Sequence, residues 1–326
     1  MSLSLTFLGT GAAMPSVHRN VSSLALQREG ETLIFDCGEG TQRQMMRYGV
    51  GFSFTDIFFS HFHADHMLGV IGLVRTMGLL DRTLPLTLHG PRGAGRVLGA
   101  ALGVGIERNK FPVEIVEVAA GDVVRRKGYD LVTFPTEHRA DTIGWALVEH
   151  IRKGRFDPDL ARDLGVPEGP LWGQIHRGER VRLEDGREVG PEELVGPSRP
   201  GRTVVYSGDT RPVPALVEAA RGADLLVHEA TFIDEEKERA VETGHSTARE
   251  AGRVAREAGV RQLVLTHISP RYTRDAPELL SEAQEEFPEV MVARDGMVVE
   301  VGFRDQGSGT RDQGSGTRGQ GLSAEA

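Results

Sequence analysis

The sequence has little of several features, and each shortage excludes a class of protein. Cys37 is its only cysteine, so no disulfide can form within the chain, and a reducing compartment is expected. No apolar run approaches the roughly 18 residues that a membrane-spanning helix needs. The start, MSLSLTFLGTG, lacks the basic and apolar segments of a signal peptide. We therefore predict a cytoplasmic protein with no membrane partner.

The chain also lacks a basic charge balance. Its formal net charge is −9, which mildly disfavours a nucleic-acid partner because phosphate binding usually leaves a basic footprint. Locally clustered arginines or bound metal ions would weaken this argument against a nucleic-acid partner. In other respects the composition is that of an ordinary globular protein, with 39% hydrophobic and 26% charged residues.

Short apolar runs that end in turns alternate with helical patterns, which predicts an α/β architecture. A buried helix is expected over residues 66–80, because they are apolar on nearly all sides. A second helix is expected over residues 247–258, where Thr247 and Glu250 fit a capping box and Gly259 follows the last turn.

Two segments differ from this pattern. Residues 150–200 are rich in proline, glycine and charge, which predicts an inserted arm, and RVRLEDGREV within it predicts a hairpin with an Asp-Gly turn. Residues 304–326 repeat RDQGSGT and contain very few apolar side chains, so we expect a disordered tail. Residues 1–303 would then form the folded domain, interrupted by the arm.

Residues 60–69, SHFHADHMLG, carry the densest chemical signal. His61, His63, Asp65 and His66 lie within six positions, although the chain has only 11 histidines. A lone histidine is more often a hydrogen-bonded residue of the core. Donors at this density instead indicate a site for zinc or another first-row divalent metal.

One motif of this length cannot complete the ligand shells of two ions. Four other candidate donors each follow the end of, or stand within, a distant apolar run: His138, Asp209, His228 and His267. Because open α/β sheets place their sites at the carboxyl ends of strands, we expect such side chains to converge on one cleft.

Ordered motifs along the chain resemble those of the metallo-β-lactamase superfamily and, within it, the ribonuclease Z family of tRNA 3′-processing endonucleases. They are FLGTGAAMP, FDCGEGTQRQ, SHFHADH, YSGDTRP, HEATF, GHSTA and LTHISPRY, and the similarity covers about residues 3–302. The resemblance implies a four-layer αβ/βα sandwich, in which two β-sheets lie face to face with helices outside, and a flexible arm inserted at residues 150–200. It also implies a homodimer that acts on precursor tRNA.

For the metal site, the resemblance implies two Zn²⁺ ions per subunit, or other divalent ions in their place. The implied activity is removal of 3′ trailers from tRNA precursors by metal-hydroxide attack on a phosphodiester, which leaves a 3′-hydroxyl on the tRNA. Asp65 would also orient or deprotonate the attacking water. The implied ligands are His61, His63 and His138 for the first ion, Asp65, His66 and His267 for the second, and Asp209 as a bridge.

The leaving oxygen of a cleaved phosphodiester needs a proton. His245 in GHSTA stands just before a predicted helix N-terminus, where backbone N–H groups favour phosphate. The helix dipole there disfavours an imidazolium, so a general acid needs a carboxylate partner. The resemblance implies that Glu229 of HEATF is this partner. We hypothesise that His245 is the acid, and we expect His228 to be a structural residue.

The resemblance also implies where substrate would bind. The loop PSVHRN matches the family pattern P-x-K-x-R-N at Arg19 and Asn20, but Val17 stands where lysine is expected. Residues 150–200 correspond to an arm that grips the elbow of tRNA. Its expected contact residues are Gly169, Pro170, Arg152, Lys153 and Arg155.

Three other interpretations compete with this one. A dinuclear phosphodiesterase for small phosphodiesters would use the same metal chemistry, and the arm would distinguish the two. A non-catalytic RNA-binding subunit is disfavoured by the complete ligand set. Gly9 and Gly11 after a strand, with Asp36 ending a later one, mimic a dinucleotide-binding fingerprint. Met14 occupies its third glycine position, however, and Pro15 argues against a helix there.

Overall fold

The computed structural model of the protein describes residues 2–106 and 108–304. The predicted disordered tail, apart from Arg304, lies outside these residues. The strands are β1 (Leu3–Gly9), β2 (Ser23–Arg28), β3 (Glu31–Phe35), β4 (Asp56–Phe58), β5 (Leu86–Gly90), β6 (Val113–Glu117), β7 (Val123–Arg126), β8 (Tyr129–Pro135), β9 (Ile143–Glu149), β10 (Val181–Arg182), β11 (Glu188–Val189), β12 (Thr203–Tyr206), β13 (Leu225–Glu229), β14 (Leu263–Thr266), β15 (Val290–Val292) and β16 (Val298–Glu300).

The helices are α1 (Thr41–Tyr48), α2 (Ala64–Met67), α3 (Gly69–Leu79), α4 (Ala94–Leu102), α5 (Pro158–Asp163), α6 (Pro170–Arg177), α7 (Pro191–Leu194), α8 (Pro214–Ala219), α9 (Lys237–Thr243), α10 (Ala248–Ala258) and α11 (Pro277–Glu286). No helix among the described residues combines the length and the apolarity needed to cross a bilayer.

Two mixed seven-stranded sheets organise the fold. The first has the order β16-β1-β2-β3-β4-β5-β6, and the second has the order β15-β14-β13-β12-β9-β8-β7. Strands β3 to β6 run parallel to one another, as do β12 to β15, and the remaining neighbours in each sheet are antiparallel. The pairing therefore points the carboxyl ends of β8, β12, β13 and β14 toward the same edge of the second sheet.

The two sheets pack face to face, and helices cover their outer faces. Phe35 and Phe58 of the first sheet meet Trp145 and Tyr206 of the second, with ring centroids 5.1 to 6.5 Å apart. On the outside of the first sheet, α1, α3 and α4 bury a second apolar cluster, and α8, α10 and α11 bury a third on the other sheet. Because the central strands are buried on both faces, their sequences are continuous apolar runs.

The predicted elements are largely confirmed. The apolar runs ending in turns form strands, and the helix expected over residues 66–80 is present as α2 and α3. The predicted helix over residues 247–258 is α10, where Thr247 and Glu250 close the capping box and Gly259 takes the left-handed conformation at the end. After Gly9 and Gly11 the chain continues as a loop that bends at residues 12–14, without the helix that a dinucleotide-binding fingerprint requires.

The inserted arm is a folded unit with its own small core. The predicted hairpin is confirmed as β10 and β11, and α5, α6 and α7 pack beside it. Isolated bridges between residues 152 and 199 and between residues 156 and 195 join its two ends. Its buried core residues are Ala161, Val166, Ile175, Val181, Leu183, Val189 and Leu194.

Candidate metal centre

Histidine and aspartate side chains that could hold a metal ion converge from distant segments at one edge of the sandwich, as the strand ends predicted. The segment after β4 supplies the SHFHADH motif, and the segment after β8 supplies His138. Asp209 and His267 follow β12 and β14. Their donor atoms form overlapping groups, and within each group every donor atom lies within 4.8 Å of the others.

The first group contains His61, His63, His138 and Asp209. The Nε2 atoms of His61 and His138 each lie 3.0 Å from Nδ1 of His63. Oδ2 of Asp209 lies 3.6 Å from His61 Nε2 and 3.9 Å from His138 Nε2. Two ligands bound tetrahedrally at about 2.0–2.1 Å from one zinc ion would lie about 3.4 Å apart, so these separations suit a common ion.

The second group contains Asp65, His66 and His267. Oδ2 of Asp65 lies 3.3 Å from His267 Nε2 and 3.6 Å from His66 Nε2. Oδ2 of Asp209 is 3.3 Å from both of these nitrogens. One carboxylate oxygen of Asp209 therefore faces both groups, which is the position that a bridging ligand would occupy.

A second layer of polar groups orients the imidazole rings. His66 Nδ1 contacts Asp36 Oδ2 at 2.8 Å, and His61 Nδ1 contacts Ser60 Oγ at 3.0 Å. On the other sheet, His138 Nδ1 lies 2.8 Å from the carbonyl oxygen of Gly244, and His267 Nδ1 lies 2.9 Å from the hydroxyl of Thr231. With Nδ1 engaged, Nε2 of each ring is left to face the other donors, as is usual for histidine ligands.

Asp36 connects several of these groups. Its carboxylate accepts hydrogen bonds from the Ser60 backbone N–H, the Ser60 hydroxyl and the Tyr206 hydroxyl, in addition to its contact with His66. The sequence interpretation considered Asp36 only for a dinucleotide fingerprint and missed this role. Its place in FDCGEG, directly after a buried strand, was the available signal.

This set of donor atoms fits divalent cations, because two of its buried polar atoms lack a hydrogen-bond partner. His66 Nε2 and Asp209 Oδ1 are buried and have no hydrogen-bond partner among the described residues. Burial and the neighbouring His66 hold the pKa of His61 well below its usual value, and burial also lowers the pKa of His63 and His138. Neutral imidazoles keep a lone pair for a metal, and together with carboxylates they suit zinc or a similar ion.

Backbone contacts fix the motif against the turn that follows β3. The N–H of Cys37 donates to the carbonyl of His66, and the N–H of Gly69 donates to the carbonyl of Cys37. A Cβ on Gly69 would come within 1.9 Å of the Gly38 carbonyl oxygen, and one on Gly38 within 2.3 Å of the Asp65 carbonyl oxygen. Both glycines are therefore required for the motif to lie this close to the sheet.

His245 and Glu229 form an ion pair beside the metal-binding residues. Nδ1 of His245 lies 2.9 Å from Oε1 of Glu229, whose carboxylate also accepts hydrogen bonds from Thr210 and Thr231. Burial lowers the pKa of His245, but the charge and hydrogen bond of Glu229 outweigh it and raise that pKa to about 9. His245 is thus a protonated imidazole at neutral pH, as a general acid must be.

His245 also lies close to the metal-binding rings. Its ring centroid is 4.8 Å from that of His138 and 5.1 Å from that of His267. With Asp209 and His267 it forms a third possible donor group. His228 belongs to none of the three groups; it is buried, and its Nδ1 lies 2.6 Å from the carbonyl oxygen of Glu229.

The donors open into a cleft of about 510 Å³. Ala12, Ala13 and Met14 form one wall, and Phe232 forms part of another. The Ala13 backbone N–H donates to Oδ2 of Asp65, which ties the first wall to the metal-binding residues. The cleft is large enough to admit a segment of substrate.

The structure places the predicted loop residues in structural positions. Arg19 is 4% exposed, and its guanidinium donates to the Thr10 hydroxyl and to the carbonyls of Ala293 and Arg274. The side chain of Asn20 donates to the carbonyl of Glu39. Both residues shape the loop, and their contact with substrate stays a prediction.

The predicted arm residues are spread along the arm. Arg152 lies at its base, with its guanidinium 3.3 Å from the centroid of Phe303. Lys153 donates to the carbonyl of Arg177, and Arg155 is exposed. Gly169 and Pro170 begin α6 as its N-cap and first residue. Their contact with RNA stays a prediction.

Comparisons with known proteins agree with this geometry. A family profile described as a beta-lactamase superfamily domain matches residues 194–268, and one described as Anti-Pycsar protein Apyc1 matches residues 3–98. The chain is 59% identical to ribonuclease Z of Myxococcus xanthus over 304 residues, which cover 93% of this chain and 99% of that protein. It is 56% identical to ribonuclease Z of Gemmatimonas aurantiaca over 308 residues, covering 94% and 98% of the two chains.

Solved structures show the same fold. Human tRNase Z, short form, superposes with a TM-score of 0.66 at 27% identity, covering 92% of this chain and all of that one. The metallo-beta-lactamase fold protein YhfI from Bacillus subtilis gives the same TM-score at 19% identity and 92% coverage of this chain, which shows the fold alone. The four-layer sandwich is therefore the metallo-β-lactamase fold, as the sequence motifs predicted.

Proposed function

The chain belongs to the ribonuclease Z family, and we propose that it is an endoribonuclease that removes 3′ trailers from tRNA precursors. The observation that carries this proposal is the His245–Glu229 pair, which lies beside a complete set of metal-binding residues in a chain 59% identical to a ribonuclease Z. The cleaved bond would be the phosphodiester 3′ of the discriminator base, and the tRNA would keep a 3′-hydroxyl.

We propose two Zn²⁺ ions per subunit as the cofactor. His61, His63 and His138 would hold one ion, and Asp65, His66 and His267 the other, with Asp209 between them. When bound, such ions supply Lewis acidity and activate water at neutral pH. Support for this assignment comes from the orphaned buried atoms His66 Nε2 and Asp209 Oδ1 and from the neutral imidazoles around them.

The protein's own groups would handle the proton that the leaving group needs. Glu229 holds a proton on Nδ1 of His245, so the other ring nitrogen, Nε2, is free to donate its proton to the departing 3′ oxygen. Phe232 packs edge-on against His245, with ring centroids 6.2 Å apart. This contact, together with the ion pair, limits the orientations that the acid can take.

The alternative is a phosphodiesterase for small phosphodiesters that uses the same centre. The inserted arm favours the tRNA activity, because a small ester needs only the metal cleft and no contact with the arm. We also propose that the protein forms a homodimer, as the family resemblance implies. We propose that it acts in the cytoplasm, where its buried free thiol, Cys37, would stay reduced.

The test combines metal analysis with cleavage of a 3′-extended precursor tRNA whose product ends are mapped. The expected results are two zinc ions per chain, a tRNA ending in a 3′-hydroxyl, and a trailer beginning with a 5′-phosphate. His245→Ala should abolish cleavage and leave the metal content at two. A protein loaded with two ions that leaves the precursor intact but hydrolyses bis(p-nitrophenyl) phosphate would replace the proposal with the alternative.

A further inference from the structure

A second concave site lies beside the metal cleft and is lined by arginines. We call it the arginine pocket: Arg43 and Arg47 from α1, Arg274, Arg294, and the loop of residues 16–20. Its volume is about 230 Å³. This equals the space of roughly seven water molecules, enough for a hydrated phosphate group.

Three of these arginines have no carboxylate partner within the part of the chain that the structure describes. Arg43 and Arg274 make no side-chain hydrogen bond or ion pair there, and Arg47 only lies against the ring of Tyr48, 5.5 Å from its centroid. Arg294 pairs with Asp275 at 3.2 Å. In a chain with a net charge of −9, a concave surface with three unpaired cations is a local exception.

The acidic residue at the floor of the pocket is already engaged. The carboxylate of Asp295 accepts hydrogen bonds from the Thr10 hydroxyl, the Asn20 backbone N–H and the Gln44 side chain. It supports the loop and α1 and forms no ion pair with the arginines at the rim. Arg19 lies in the same wall, is 4% exposed, and its buried Nε has no partner among the described residues.

Many arginines of the arm, unlike most of those in the pocket, are paired with carboxylates. Arg162, Arg180 and Arg187 each pair with a nearby carboxylate of the arm, and so do Arg177 and Arg182. Much of the positive charge that the sequence assigned to the arm is therefore neutralised locally. The arginine pocket keeps its charge available for a ligand.

Two chain segments join the pocket to the metal cleft. Residues 12–14 line the cleft while residues 16–20 line the pocket, and residues 269–271 line the cleft while Arg274 lines the pocket. Four residues of extended chain, such as those from Met14 to His18, span at most roughly 14 Å. An RNA strand lying in the cleft would therefore meet the pocket within a few nucleotides of the cleaved bond.

We propose that the arginine pocket binds backbone phosphates of the RNA strand close to the scissile bond. Arg43 and Arg47 lie one helical turn apart on the same face of α1, where like charges destabilise a helix, and a bound phosphate would offset this repulsion. Val17 stands where the family pattern has lysine and is 96% exposed at the rim, so the positive charge of this pocket comes from its arginines. This proposal rests on the proposed function and adds a substrate subsite to it.

The test compares two double variants with the same loss of charge. Arg43→Ala/Arg47→Ala removes two of the pocket's three unpaired cations and leaves Arg274. Arg92→Ala/Arg96→Ala removes two exposed arginines with the same spacing at α4, which line neither site. We expect the first variant to bind precursor tRNA at least tenfold more weakly, with a salt dependence reduced by about 0.7–0.9 per lost phosphate contact. Its hydrolysis of bis(p-nitrophenyl) phosphate and its metal content should stay unchanged.

Substrates with a one-nucleotide trailer and a long trailer locate the phosphate. A defect only with the long trailer places the bound phosphate in the trailer, and a defect with both places it in the acceptor strand. Unchanged RNA binding by the first variant, or an equal loss in both variants, would overturn the proposal. The two proposals can fail separately, because the dissociation constants are measured without cleavage. A wild-type protein that does not cut precursor tRNA would refute the proposed function. The comparison of the two variants would still test RNA binding by the pocket.

Discussion

Replacing Glu229 with glutamine tests the proposed general acid, His245, separately from the rest of the metal centre. The substitution removes one negative charge and keeps the size of the side chain. Its Oε2 position, which accepts from the N–H and hydroxyl of Thr231, can still be occupied by an amide oxygen. The ring of His245 then loses the carboxylate that stabilises its charged form. The metal-binding residues are not altered.

The size of the effect follows from the pKa of His245. With Glu229 that pKa is about 9, so roughly 90% of the rings are protonated at pH 8. Without the carboxylate, burial and His66 still lower the pKa while the charge of Asp209 raises it. At the ordinary histidine value of about 6.5, roughly 3% of the rings are protonated at pH 8. Because the protonated ring is the active form, turnover should fall about thirtyfold at pH 8 and about fourfold at pH 7, and the alkaline limb of the rate profile should move to lower pH.

The assay measures kcat from pH 6 to pH 10 on two substrates. Precursor tRNA has an alkoxide leaving group that needs the proton, whereas p-nitrophenolate leaves bis(p-nitrophenyl) phosphate without one. Turnover of the second substrate should therefore change little. Glu238→Gln is the matched control, because Glu238 is exposed on α9 and has no ion pair among the described residues.

Three results would refute this reasoning. Equal losses on both substrates would mean that Glu229 supports the centre rather than the acid. An unmoved alkaline limb would mean that another group donates the proton. Loss of bound metal would indicate that His245 is itself a metal ligand, as its proximity to Asp209 and His267 allows.

Three other changes test the remaining parts of the structure. Asp36→Asn should weaken metal binding about 10- to 100-fold in a chelator competition, because it disturbs the orientation of His66; unchanged affinity would remove Asp36 from the centre. Glu149→Ala should lower the free energy of unfolding by about 3–5 kcal/mol in a urea titration, since it breaks the buried ion pair of Glu149 with Arg202; a loss below about 1 kcal/mol would contradict this. Replacing residues 153–198 with a short Gly-Ser linker should abolish cleavage of precursor tRNA and spare bis(p-nitrophenyl) phosphate, and equal loss of both would contradict the arm's assigned role.

The convergence of the candidate metal-binding residues was predictable because each lies after a strand that the sequence marks clearly. The strands β4, β12 and β14 lie in apolar runs. β4 belongs to one sheet and the other two to the second sheet, and the face-to-face packing of the sheets brings Asp65, Asp209 and His267 together. Asp36 also directly follows a strand, β3, but its contact with His66 was not predicted. It depends on the distance between β3 and the histidine motif in space, which no spacing along the chain reveals.

Peripheral strands were also missed, for a different physical reason. β6 and β7 lie at the edges of the two sheets, where VEIVE and VVRR are largely exposed or half-buried and show no apolar run. The arm was predicted from the glycines, prolines and charges of residues 150–200. Its core was not, because Ile175, Val181 and Leu194 are isolated apolar residues that meet only after the helices of the arm have packed.

The separate core of the arm has a consequence for how the protein opens. An element that buries its apolar residues among themselves, and joins the rest of the chain at one narrow base, can unfold as an independent cooperative unit. Amide hydrogens of α5, α6 and the β10–β11 hairpin should then exchange together, at a free energy below that of the sandwich. In the same experiment the strands around the metal centre would exchange only when the whole molecule unfolds.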